Sequence, residues 1–373
     1  MDNHECRACR SRSGRVVLDL GEQPACDYFP RHDEPGPDPV YPLQMWLCAG
    51  CGLAQLLTDP TVPEEPRGAE PAALIEQARD AVARVAAGGL LPPGARVAEY
   101  GSPHGGSWLD LLAERGLSPV TDGAADVIVD CFGMMHAADQ AAAVAERAAR
   151  LAPGGTLLLQ YHSLAAIVRQ GQWNALRHGH YAYYSATALT AMLARAGLRP
   201  TAAWQFSLYG GTVLLAACHD GADHVAAGPG ETVCSLLADE AHSGITSPDM
   251  VAGLQREVSA QAGALRGWLT AQRAAGRSVL GYSAASRAVA LLCSAGVDVS
   301  LLPAVADASP AKRGLRMPGT AIPVISPREL TASPPDSVLV FVPDLIPEVS
   351  KACPEIEAAG KAWVDISSLS GSF

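Results

Sequence analysis

Two Cys-x-x-Cys loops, Cys6-Arg7-Ala8-Cys9 and Cys48-Ala49-Gly50-Cys51, constrain this chain more than any other feature of it. Each loop is a tight turn that can present two thiolates to one ion. Two such loops complete the tetrahedral sulfur shell that suits Zn²⁺. That shell leaves no open coordination position, so the site is expected to be structural. Its binding free energy would hold together a module too small to own much core. The 38 residues between the loops exceed the usual short spacing and predict a small sheet between them. The alternative is two unrelated, redox-active pairs. Cys26 reads as a packing residue, and His4 and His32 as ligands only if a cysteine is displaced.

The other cysteines of the ten read as reduced core residues, because nothing marks the chain for an oxidising compartment. The start, Met1 to Cys6, lacks the basic-then-apolar pattern of a signal peptide, and no run of about 20 apolar residues could span a bilayer. A cytoplasmic protein without a membrane segment is expected. With 373 residues, 49% hydrophobic and 17% charged, the chain has material for two or three packed domains. A net charge of −11 and a pI near 5.3 argue against non-specific nucleic-acid binding, which needs clustered cations. Monomer and homodimer both stay open.

The pattern predicts an α/β protein: two Rossmann-like, doubly wound domains behind a small zinc-binding module. The expected divisions are 1–58 for the module, 70–220 for the first domain and 230–373 for the second, with Pro- and Gly-rich linkers between. A helix over 71–87 precedes a strand at 96–100 and a Gly-rich turn. Helix (107–115), strand (126–130), helix (138–151) and strand (156–161) follow, with residues 152–155 closing the second helix. A helix at 186–196 and strands near 202–207 and 212–217 finish this domain. The second has a helix over 249–275 and strands at 278–282, 300–306 and 337–342.

Three segments carry chemistry. Glu99-Tyr100-Gly101-Ser102-Pro103-His104-Gly105-Gly106-Ser107 is a strand-to-helix turn whose glycines allow close approach of a ligand. Only residues 116–125 separate the next helix from the next strand, too few for a further helix and strand, so one wall of a cofactor pocket is expected to be missing. Arg177-His178-Gly179-His180-Tyr181-Ala182-Tyr183-Tyr184 combines proton carriers, a bidentate cation and tyrosines that can stack on a sugar or donate to a keto oxygen. The bland alternative is a Tyr-rich helix entry with satisfied core histidines. Tyr209-Gly210-Gly211-Thr212 is either a hairpin turn or a place where substrate meets backbone.

In this order the motifs resemble the bacterial deoxysugar C-methyltransferases. The four cysteines match that family's zinc module, as do Leu20-Gly21-Glu22-Gln23-Pro24 and Cys51-Gly52-Leu53-Ala54-Gln55-Leu56. Gly281-Tyr282-Ser283-Ala284-Ala285-Ser286-Arg287 is similar to the glycine loop of its C-terminal domain, and the stretch from Asp307 to Val324 matches most closely. Arg177-His178-Gly179-His180 aligns with a Tyr-His-Glu-His motif whose last histidine is the family's proposed general base; Arg177 and Gly179 replace the tyrosine and glutamate.

The resemblance implies methyl transfer from S-adenosylmethionine to a carbon beside the keto group of a nucleotide-linked sugar. His180 would be the base, assisted by His178, Tyr181 and Arg177. Glu99, Gly101, Ser102, His104 and Gly105 would hold the methyl donor. Tyr183, Tyr209, Gly210, Gly211, Tyr282, Ser283, Lys312 and Arg313 would bind substrate. The truncated 116–125 segment keeps two other readings open: a repurposed fold that epimerises, eliminates or cyclises without the donor, and a non-catalytic binding subunit.

Overall fold

The computed structural model describes residues 4–34, 36–61, 68, 70–103, 105–221 and 230–370. Strands β1 (Gly14–Pro24) and β2 (Val40–Cys48) pair antiparallel, and β3 (Ala54–Leu56) adds to β2. Gly14 pairs with Cys48, so the hairpin brings both cysteine loops to one end. Strand alternation gives β2 two buried faces. Leu43, Met45 and Leu47 join a core with Leu254, Leu265, Leu269 and Leu291, while Trp46 and Cys48 join another with Met134, Met135 and Leu189. The small sheet is thus wedged between the two larger domains, which supply the core it lacks.

The middle sheet contains β4 (Arg96–Gly101), β5 (Ser118–Pro119), β6 (Ala125–Cys131) and β7 (Leu151–His162). After β8 (Ala182–Tyr183), which leaves to pair with β3, come β9 (Leu198–Phe206) and β10 (Thr212–His219). Their order is β5-β4-β6-β7-β10-β9, with β10 antiparallel to both neighbours. β6 is apolar on both faces, as a covered parallel strand must be. Val127 and Val129 meet the helix Ala72–Ala87 in one core, and Ile128 meets the helix Gln140–Arg150 in the other.

The short 116–125 segment leaves β5 as a two-residue edge strand. Residues 152–155, expected to close a helix, lie inside β7. The helix stops at Arg150, and the extra residues form a bulge where pairing jumps from Ala125–Leu151 to Val127–Thr156. The expected 249–275 helix is divided at Gly253 into Pro248–Ala252 and Leu254–Ala274.

The C-terminal sheet is wholly parallel: β11 (Val279–Tyr282), β12 (Val305–Ala306), β13 (Val324–Ile325), β14 (Ser337–Val340) and β15 (Ala362–Asp365), in the order β13-β12-β11-β14-β15. Order reverses beside β11, the place where such sheets open a crevice at their carboxyl ends. Among the described residues no helix is long and apolar enough to cross a membrane.

Candidate active site

The ligand sulfur atoms of Cys6, Cys9, Cys48 and Cys51 all lie within 4.8 Å of one another. Cys6 Sγ is 3.6 Å from Cys51 Sγ, and Cys9 Sγ is 3.5 Å from Cys48 Sγ. A tetrahedron with Zn–S bonds of about 2.3 Å has edges of about 3.8 Å, so the cage fits zinc. Backbone N–H groups of Ala8 and Cys9 donate to Cys6 Sγ, and that of Gly50 to Cys48 Sγ, as thiolate ligands require. Contact with Cys51 holds the Cys6 thiol well below its usual range, while the same contact pushes Cys51 up. A divalent cation removes this conflict by letting all four ionise.

The larger site is a cavity of about 260 Å³ where the three sheets meet. The zinc-bearing part contributes Asp27 and Phe29, and the turn after β4 contributes Ser102 and Gly105. Phe132 and His136 come from the end of β6, and His162 from the end of β7. The C-terminal sheet adds Tyr282, Ser283, Arg287, Asp307 and Lys312 from its carboxyl edge. Arg177, His180 and Tyr183 form the wall between these groups.

His180 is anchored on both sides. Arg177 Nε–H lies 2.9 Å from His180 Nε2 and 3.3 Å from Nδ1, and Arg177 Nη1 donates to Ser286 Oγ. The His136 ring stands edge-on to it at 4.6 Å between centroids, with His136 Nδ1 2.9 Å from the Gly179 carbonyl oxygen. An N–H on that nitrogen is the tautomer the carbonyl selects. Tyr183 Oη accepts the Arg177 backbone N–H at 3.0 Å, and burial pushes its phenol well above the usual range. His162 is held down at about pKa 3, first by burial and then by the charges of Arg287 and Arg177.

Several sequence candidates stand elsewhere. His178 Nε2 is 3.3 Å from the Pro42 carbonyl and its ring packs edge-on to Tyr41, away from the cavity wall. Tyr181 lies under the Arg7 guanidinium at 4.7 Å. Gly210 and Gly211 are required by packing: a Cβ on Gly210 would lie 2.1 Å from Gln170 Oε1, and one on Gly211 2.5 Å from Ala166 Cβ. The pair therefore turns a hairpin, and only Tyr209 of that motif reaches the cavity. Arg313 is exposed, whereas Lys312 is buried with Nζ 2.7 Å from Ala284 O and 3.3 Å from Asp307. Glu99 accepts Ser107 Oγ–H and Trp108 N–H, both at 2.6 Å, and so fixes the turn from below. Gly101 leaves space where a Cβ would meet nothing within 4 Å. His104 lies outside the described residues.

Among the wall residues, His136, His162 and Asp27 carry no sequence signal of their own. None sits in a periodic or spaced motif. Arg287 and Asp307 lay inside recognised motifs but had no assigned role.

Comparison with known proteins matches the chain in three consecutive parts. A zinc binding domain matches residues 6–65, a methyltransferase domain 72–203 and a C-methyltransferase C-terminal domain 207–366. The C-methyltransferase NovU of Streptomyces niveus is 24% identical over 92% of this chain and 91% of its own length. Among solved structures, magnesium protoporphyrin IX methyltransferase from Synechocystis covers 40% of this chain and 84% of its own, at 12% identity and a TM-score of 0.31. The Burkholderia thailandensis 1,6-didemethyltoxoflavin-N1-methyltransferase covers 45% and 95%, at 15% identity and a TM-score of 0.30. With a zinc cage, a methyltransferase domain and a matching C-terminal domain in one order, the chain belongs to the bacterial C-methyltransferase family and is a transferase.

Proposed function

We propose that the chain transfers a methyl group from S-adenosylmethionine to a carbon acidified by a neighbouring keto group, on a nucleotide-linked deoxysugar or a related intermediate. One observation carries this reading: the His180 imidazole shares a cavity with Ser102 and Gly105 of the glycine turn. When bound, the donor supplies an electrophilic methyl on a sulfonium centre. The open space at Gly101 and the backbone of Ser102 and Gly105 would hold its methionine end. Asp122, exposed just past β5, offers a carboxylate for ribose hydroxyls even though the sheet edge is cut short.

The contact between Arg177 and His180 couples binding to base strength. Arg177 Nε–H lies 2.9 Å from one ring nitrogen and 3.3 Å from the other, and so covers the imidazole edge that would take the proton. A substrate oxygen that draws the guanidinium away frees the imidazole and places the cation where enolate charge develops. His136, fixed by Gly179 O, buttresses the ring. Orientation of carbon, base and methyl would supply much of the rate.

Calorimetric titration with S-adenosylmethionine, followed by mass spectrometry of products from keto-sugar nucleotides, tests the reading. Donor binding and a product heavier by one methylene are expected. His180→Gln should lower turnover by about 10² to 10⁴. Product of unchanged mass, or lighter by water, would instead favour a donor-independent reaction, the outcome that the truncated β5 edge suits.

A further inference from the structure

The cavity reaches the glycine turn at Ser102 and Gly105, yet residues 117–125 contribute nothing to its lining. That short segment carries β5, which pairs with β4 at the edge of the middle sheet. Ser118, Pro119 and residues 121–124 are exposed. Leu117 is buried in the core that holds Trp108, and Val120, like Tyr100, packs against the core on the other face. The edge therefore offers a bound nucleoside no free apolar side chain.

The segment is also pinned in this open position. Arg150, the last residue of the helix Gln140–Arg150, donates through Nη2 to Val120 O at 3.0 Å and to Thr121 O at 2.7 Å. Its Nε donates to Gly123 O at 3.3 Å. Folding the loop over the turn would break all three bonds. The aromatic rings at the neighbouring strand ends already have partners. Arg147 and Arg150 lie over the Tyr100 ring at 4.1 Å and 5.5 Å, and Phe132, just past β6, stands edge-on to Tyr209 at 6.2 Å between centroids. A base is ordinarily held by stacking on a ring and by hydrogen bonds to its edge. Among the described residues, the β5 edge supplies neither.

We propose that the adenine of the methyl donor lies uncovered at this edge, so that the chain takes donors altered at the base about as readily as S-adenosylmethionine. The inference rests on the reading of the chain as donor-dependent. Recognition then comes from the two ends for which groups are in place. The methionine end has the turn at Gly101, Ser102 and Gly105, and the ribose hydroxyls have Asp122, whose carboxylate accepts the Thr121 hydroxyl at 3.1 Å. A site that makes no hydrogen bond to a group cannot reject an analogue that lacks it, and a substituent that extends into water meets no wall.

The zinc-loaded full-length protein is titrated calorimetrically with three ligands: S-adenosylhomocysteine, a derivative with a benzyl group on the exocyclic amine of adenine, and S-inosylhomocysteine, in which that amine is replaced by oxygen. All three should bind within about fivefold of one another. Asp122→Asn should weaken all three by about tenfold, with zinc content and melting temperature unchanged as the folding checks. A loss of about fivefold or more with either altered base, or unchanged affinity in Asp122→Asn, overturns the proposal. Failure of S-adenosylhomocysteine itself to bind would remove the donor reading and this inference with it. Binding of that ligand with rejection of the altered bases would remove this inference alone.

Discussion

His162 shows how the cavity sets the properties of one side chain. Its folded pKa is depressed to about 3 by burial and by Arg287 and Arg177, against about 6.5 for an unperturbed imidazole. Between those values the unfolded chain binds a proton that the folded chain refuses. The stability this group contributes is present above pH 6.5 and is lost as pH falls towards 3. Roughly 2 kcal/mol should disappear between pH 7 and pH 5 on this account. Urea denaturation of wild type and His162→Gln at both pH values checks it; equal losses in the two proteins would remove His162 as the cause. His178, also a depressed and buried imidazole, packs against Pro42 and Tyr41. His178→Gln should therefore change stability while steady-state turnover per folded molecule stays near wild type. Sequence could nominate both histidines of the His178-Gly179-His180 motif. It could not say which one meets the cavity, because Gly179 takes a φ of +80° and aims the two rings apart.

At the level of elements, one buried ion pair joins the small sheet's module to the C-terminal domain. Asp38, in the connection between β1 and β2, takes Arg316 Nη1 at 2.6 Å and Nη2 at 2.7 Å, plus the Gly319 N–H at 2.6 Å. Both side chains are under a tenth exposed. Asp38→Asn leaves a buried guanidinium without its counter-charge and should cost about 3–5 kcal/mol, measured by chemical denaturation. A loss under 1 kcal/mol would mean that the pair contributes little to docking. Inside the middle domain, Asp130 at the end of β6 pairs with Arg147 at 2.6 Å, and Arg147 lies 4.1 Å over the Tyr100 ring. Strand and helix order was legible because strong periodicity and glycine punctuation are local. The bulge in β7 was not, since Ala152-Pro153-Gly154-Gly155 reads as a turn until β6 pairs on both sides of it. The break at Gly253 was equally hidden within a continuous helical pattern.

For the molecule as a whole, the zinc cage reaches beyond its own module. The small sheet has its two faces in different cores, and it contributes Asp27 and Phe29 to the cavity. Structural zinc sites in small peptides contribute on the order of 10–16 kcal/mol of apparent binding free energy. Cys9→Ser, or metal removal by a strong chelator, should therefore release one zinc per chain, lower the melting temperature and abolish cavity binding together. Atomic absorption and thermal scans follow the first two, and the S-adenosylmethionine titration follows the third. Full donor binding by metal-free protein would separate cage from cavity.

What the sequence determined alone was whatever short-range chemistry can specify: the four-sulfur cage from two turns, the sheet implied by the gap between them, the parallel domains from alternating periodicity, and the glycine turn after β4. Tertiary structure decided which side chains share a pocket. Arg177, His136, His162 and Arg287 come from four segments far apart in the chain, and their approach depends on how three sheets pack rather than on spacing within any one of them. The pairing of Arg177 with an imidazole instead of a carboxylate is likewise a consequence of that packing, since local sequence fixes a residue's chemistry but long-range contacts choose its partner.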